Sequence, residues 1–64
     1  MRISCQKLFL ACAKAKMSKT QAINTAGLST GILSAIKQGK NVNAATAGKL
    51  AAALGVPVED LLEL

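Results

Sequence analysis

The sequence has no histidine, tryptophan or tyrosine, and Phe9 is its one aromatic side chain. Without histidine the chain lacks the usual general base, the commonest metal ligand and any His-paired nucleophile. That argues against an autonomous enzyme and against a metal centre, because two cysteines alone make a poor ligand set. Acids are scarce as well: Glu59, Asp60 and Glu63 are the full complement, all within the last six residues. Cys5 and Cys12 are too few for a secreted disulfide scaffold, which usually carries four or more. Seven positions apart on a helix, they share a face and are expected to act as small buried apolar residues. The apolar run after Arg2 is broken by Gln6, Lys7, Lys14 and Lys16. It is neither a signal-peptide core nor the roughly 20 apolar residues that a membrane span requires. A cytoplasmic binding module is expected, with no membrane association, cofactor, metal or small-molecule ligand.

What is present is apolar and basic. The 64 residues are 52% hydrophobic, too apolar for a disordered chain, and their number allows one small domain over 1–64. A chain of this size buries only about 60% of its unfolded surface, so the core must be thin. All eight cations (Arg2, Lys7, Lys14, Lys16, Lys19, Lys37, Lys40 and Lys49) precede residue 50. Residues 1–58 therefore carry +8 and the last six −3, which sum to the net +5. Such a body repels itself, and a polyanion such as nucleic acid relieves that repulsion through counterion release. A solvated, lysine-rich surface that aids solubility is the competing reading of the same charge.

Turn signals fall at Ser18, Gly27-Leu28-Ser29, Gly39-Lys40-Asn41 and Gly55-Val56-Pro57. Between them the apolar spacing is helical and nowhere alternates. From about Ser4 to Ala15, Cys5, Leu8, Cys12 and Ala15 form a stripe with Ala11 beside it; Phe9 and Leu10 lie off the stripe, which predicts burial over a broad face. Ser18-Lys19-Thr20-Gln21 is a capping-box pattern opening a second helix that ends at Gly27. Ser29 is the expected N-cap of a third helix running to about Gln38 with Ile32, Leu33 and Ile36 inward. Asn43 caps a fourth that carries Ala47, Leu50, Ala51 and Leu54 on one face, with Gly48 offering room for close helix approach. Pro57 suits the first turn of a fifth bearing Val58, Leu61 and Leu62. The pattern predicts an all-α fold of five helices and no strand.

Two short helices about a glycine-centred turn describe either a helix-turn-helix or an ordinary helical corner. Lys19 to Gly39, reading Ala22-Ile23, Gly27-Leu28-Ser29, Leu33, Ile36 and Gly39-Lys40-Asn41, resembles the helix-turn-helix of the Cro/CI phage-repressor (XRE) family. Thr46-Ala47-Gly48-Lys49-Leu50-Ala51-Ala52-Ala53-Leu54-Gly55-Val56 resembles the fourth helix of that family, and Pro57 to Leu62 its short acidic fifth. The likeness covers about Leu8 to Leu62. It implies a compact five-helix lambda-repressor-like bundle whose helix-turn-helix spans about 19–38.

The resemblance further implies a sequence-specific transcriptional regulator that binds double-stranded DNA, with a recognition helix over about 30–38 in the major groove. It places base reading on Thr30, Gly31, Ser34 and Ala35, and backbone contact on Ser18, Lys19, Lys37, Gln38, Lys40 and Asn41. Lys37 serves equally as a partner of the helix dipole. An arginine–glutamate pair common in the family is replaced here by Cys12 facing Lys37. Gly31 and Ala35 make no bidentate base contact, so direct readout is weak, and a protein-interaction module on the same fold is the alternative. A homodimer, at least on DNA, is the family's usual arrangement. Its candidate interface is Val58, Leu61, Leu62 and Leu64, where closure of the monomer core competes for Leu61 and Leu62.

Overall fold

The computed structural model describes residues 1–63. Four α-helices follow one another: α1 (Cys5–Ala15), α2 (Lys19–Thr25), α3 (Gly31–Lys37) and α4 (Ala44–Leu54). Three of them open on a side chain that accepts a backbone N–H which the helix itself leaves unpaired. Ser4 Oγ accepts from Lys7 N and Asn43 Oδ1 from Thr46 N. At α2 the full capping box forms, with Ser18 Oγ accepting from Gln21 N at 3.1 Å and Gln21 Oε1 from Ser18 N at 2.9 Å. The third helix departs from expectation. Its N-cap is Thr30 and not Ser29, and no side chain caps it. Ser29 instead accepts through its main-chain carbonyl from Ile32 N, which winds the entry one residue tighter.

The expected fifth helix is a single 3-10 turn, Val58–Asp60, with Pro57 before it. An α-helix continuing past Asp60 would need the amide of Glu63 for its own carbonyls. That amide donates instead to Arg2 O at 2.9 Å, while Leu61 O accepts from Ser4 N at 2.8 Å and Ile3 bridges Leu62 in antiparallel fashion. Closure of the chain ends thus outcompetes helix propagation. The bridge is isolated, and among the described residues there is no strand.

Leu8, Ile23, Leu50 and Leu61 are the large fully buried side chains, and alanines at 11, 22, 47 and 51 fill the space between helices. The close pairings are α2 with α4, α1 with α2 and with α4, and the 3-10 turn with α4 and α1. Gly48 plays no part: a β-carbon built there meets nothing within 4 Å. Two expectations for α1 are also corrected. Phe9 and Leu10 are 62% and 56% exposed, so the buried face is the narrow stripe alone. Cys12 is buried as expected, whereas Cys5 is exposed, one turn too near the helix start to be covered. No helix is long and apolar enough to cross a membrane among the described residues.

Leu61 is fully buried, so truncating it removes transfer energy and leaves a cavity. Leu61→Ala is expected to lower unfolding free energy by about 3 kcal/mol, while exposed Glu59→Ala stays within about 0.5 kcal/mol. Urea denaturation of both variants checks this; equal midpoints would contradict the C-terminal closure.

Candidate nucleic-acid interface

The turn between α2 and α3 is set by main-chain geometry. Gly27 holds φ at +74°, Gly27 N donates to Asn24 O, and Leu28 N donates to Ile23 O, both at 3.0 Å. This double bond pattern terminates a helix on a left-handed residue, a backbone region that a β-carbon disfavours. Half-buried Leu28 then packs against the core before α3 begins.

The third helix is the least embedded of the four α-helices. Ile36 alone of its seven residues is buried, Ile32 and Leu33 are half-buried, and α3 takes part in none of the close helix pairings among the described residues. Its outward side is formed by Thr30, Gly31 and Ser34, all exposed, with Ala35 half-buried at the edge. Thr30 makes no capping bond, so its hydroxyl is uncommitted. A β-carbon at Gly31 would meet only Ser29 Oγ, at 3.9 Å, so the start of the helix faces open space.

The expected backbone contacts fall on two segments. Lys37, Gln38, Lys40 and Asn41 are all exposed where α3 ends and the chain turns to α4. Ser18 and Lys19 open α2. Ser18 spends its oxygen as an acceptor in the capping box and keeps its hydroxyl proton for an outside acceptor. Lys19 sits at the positive end of α2, where the helix dipole does not favour a cation. It is steadied instead by Phe9, whose ring centroid lies 5.6 Å from Nζ. Sequence reasoning missed this role for Phe9, and the signal was its misfit with the α1 stripe.

The charges separate. Arg2 Nη2 lies 3.4 Å from Glu63 Oε1, and Lys7 Nζ donates to Leu62 O at 3.0 Å. Asp60 shares an open groove with Lys7 and Lys14. The acidic end thus offsets cations of the N-terminal segment and α1, and Lys19, Lys37 and Lys40 have no acidic partner among the described residues. Of the four interface candidates, Val58 and Leu62 are half-buried, and Leu61 lies inside the monomer with no surface left to offer. Leu64 lies outside the described residues.

Where the family's arginine–glutamate pair would tie the first helix to the third, a cysteine makes the link here. Cys5 Sγ lies 3.6 Å from Ile36 O at the end of α3, while Cys12 lines a groove with Phe9, Met17 and Lys19. Burial pushes the Cys12 thiol up, and the nearby Lys19 charge pulls it partly back. A raised folded-state value favours the neutral thiol. Its contribution to stability is full below the unfolded thiol's value of about 8.5 and is lost as pH rises through the folded one. A thiol reagent at pH 8 is therefore expected to label Cys5 in the native protein and Cys12 only on unfolding. The urea midpoint should fall between pH 7 and pH 9, less so in Cys12→Ala, and equal labelling of both thiols would contradict the assignment.

No curated protein and no solved structure matches the chain. A family model for the Cro/C1-type HTH DNA-binding domain matches residues 7–64. With the four helices, the glycine-ended α2 and the exposed α3 already in place, that match covers all but the first six residues, and the chain belongs to the Cro/C1-type helix-turn-helix DNA-binding family.

Proposed function

We propose that the protein is a sequence-specific transcriptional regulator of phage or mobile-element repressor type, which acts by occupying an operator in double-stranded DNA. The observation that carries this reading is the exposed side of α3, with Lys37 in its last turn and Lys40 just after it, neither holding an acidic partner among the described residues. A B-DNA major groove about 12 Å wide admits one helix. With α3 in it, Thr30 and Ser34 donate or accept single hydrogen bonds at base edges and Ala35 lies within reach of a thymine methyl. Ser18, Lys19, Lys37, Gln38, Lys40 and Asn41 hold the phosphates on either side. Two copies on a two-fold site, meeting through Val58 and Leu62, double the short list of contacts that one module makes.

The short side chains on α3 favour a second reading, a protein-interaction module on the same fold. Salt decides between them. DNA affinity that falls steeply with ionic strength and keeps a preference for one sequence supports the regulator; absence of DNA binding supports the module.

Selection of bound sites from random duplex DNA at physiological salt is expected to recover an inverted repeat. Lys19→Ala combined with Lys40→Ala should weaken binding to every duplex alike and flatten the salt dependence by about 2 × 0.9 in log–log slope. An unchanged slope would contradict both backbone contacts.

Gly31→Ala separates fold from recognition. The space around Gly31 is open and its φ is not positive, so the substitution is expected to be neutral or mildly stabilising in a melt. It should nonetheless weaken operator binding where the helix start approaches the duplex, and Thr30→Ala should change sequence preference more than affinity. Binding isotherms on the selected and on scrambled duplexes check both; equal losses on the two would remove Thr30 and Gly31 from base recognition.

A further inference from the structure

Arg2 lies outside the helix-turn-helix and outside every DNA contact proposed above, yet the fold carries it to the end of α3. Its segment is held on two sides. Val42 N donates to Met1 O at 2.7 Å on one, and Ser4 N to Leu61 O and Glu63 N to Arg2 O bind the other. Ile3, 2% exposed, anchors the segment from beneath. Arg2 itself is exposed, and its guanidinium lies against Gly39, where a β-carbon would come within 3.1 Å of Nη2. Gly39 is the residue at which the chain leaves α3, with Lys37 two positions before it and Lys40 directly after. The absence of a side chain at Gly39 leaves the guanidinium its place beside this turn.

Among the described residues the one acid that holds Arg2 is Glu63, at 3.4 Å through a single nitrogen, with the two side chains 51% and 49% exposed. A guanidinium carries five N–H donors in a planar fork suited to phosphate as well as to carboxylate. One loose carboxylate contact leaves most of that fork unengaged.

We propose that Arg2 is a fourth phosphate-binding cation of the interface, beside Lys19, Lys37 and Lys40, stored on Glu63 in the free protein and transferred to the DNA backbone when the turn after α3 docks. This rests on the DNA-binding reading above. Glu63 is then a built-in competitor. It occupies Arg2 until a phosphate displaces it, and its own charge opposes the approach of DNA to this edge. The N-terminal segment thereby becomes part of the interface and not only of the core.

The test compares the full chain with Arg2→Gln, Glu63→Gln and Glu59→Gln on a random-sequence duplex of about 20 bp, over about 50 to 200 mM KCl. Arg2→Gln should weaken binding and reduce the log–log salt slope by about 0.9. Glu63→Gln should tighten binding about two- to fivefold, the scale of releasing one half-exposed ion pair. Glu59→Gln makes the same change in net charge and should tighten it less. Arg2→Gln and Glu63→Gln lose the same ion pair, so any cost to folding is common to both and cannot drive affinity in opposite directions. A shift of both in the same direction, a slope in Arg2→Gln equal to that of the parent, or equal gains in Glu63→Gln and Glu59→Gln would overturn the proposal and leave DNA binding standing. A parent protein with no salt-dependent binding would overturn the DNA reading itself, and this inference with it.

Discussion

All four helices end on the same left-handed stop, and the rest of the arrangement follows from it. At Lys16, Gly27, Gly39 and Gly55 φ lies between 59° and 74°. In each case the next amide reaches back to a carbonyl five residues earlier: Met17 to Cys12, Leu28 to Ile23, Lys40 to Ala35 and Val56 to Ala51. The stop satisfies carbonyls that a helix end would otherwise leave unpaired and turns the chain sharply within two residues. Each residue that makes the backward bond is followed closely by a new start, so the helices stay short and the connections brief. Lys16 is the exception among glycines. A residue with a β-carbon held in that region costs about 1–2 kcal/mol, which the packing of Met17 against the core offsets.

That geometry divides the molecule into a packed body and one helix set apart. Four large side chains and a set of alanines close the core among α1, α2, α4 and the 3-10 turn. The alanines let the helices approach closely, which is how so short a chain buries enough surface. Nothing comparable covers α3, which rests on Ile36 and its half-buried neighbours Ile32 and Leu33. Charge follows the same division except at Arg2, whose contact with Gly39 brings Glu63 to the turn after α3. The acidic end folds onto Arg2 and α1, while the cations beside α3 stay unpaired among the described residues.

The local parts of this plan are legible in the sequence. The capping box at Ser18 to Gln21, the stop at Gly27, the cap at Asn43 and the inward stripe of α4 each depend on residues within a turn or two of one another, and spacing rules capture them. What spacing cannot capture is contact between distant segments. Lys7 and Leu62 are 55 positions apart, and no periodicity announces that the chain ends will close on each other and stop a fifth helix after one turn. The exposure of Phe9 is of the same kind, since its partner Lys19 belongs to another helix. At α3 the failure was narrower. Ser29 is the better capping residue by propensity, but its carbonyl and not its hydroxyl meets the helix. Thr30, Gly31 and Ser34 entered through the family resemblance, and the inward spacing of Ile32, Leu33 and Ile36 leaves them on the outer side.

The composition of that exposed side decides how the proposed recognition must divide its labour. A bidentate contact from a long side chain to a base edge is worth about 1–3 kcal/mol of discrimination, and Gly31, Ser34 and Ala35 provide none. Each neutralised phosphate, by contrast, contributes about 0.9 to the salt slope whatever the sequence. The proposed contacts of Lys19, Lys37 and Lys40 therefore weight the proposed interface toward affinity, and the single hydrogen bonds proposed for Thr30 and Ser34 add little selectivity to one copy. Short side chains have one physical advantage. They let the helix backbone sit deeper in the groove, where its fit depends on groove width and on how readily the duplex deforms. Selectivity built this way grows with the number of registers that must be matched at once. Two modules at a fixed spacing on one duplex supply that requirement without lengthening a single side chain.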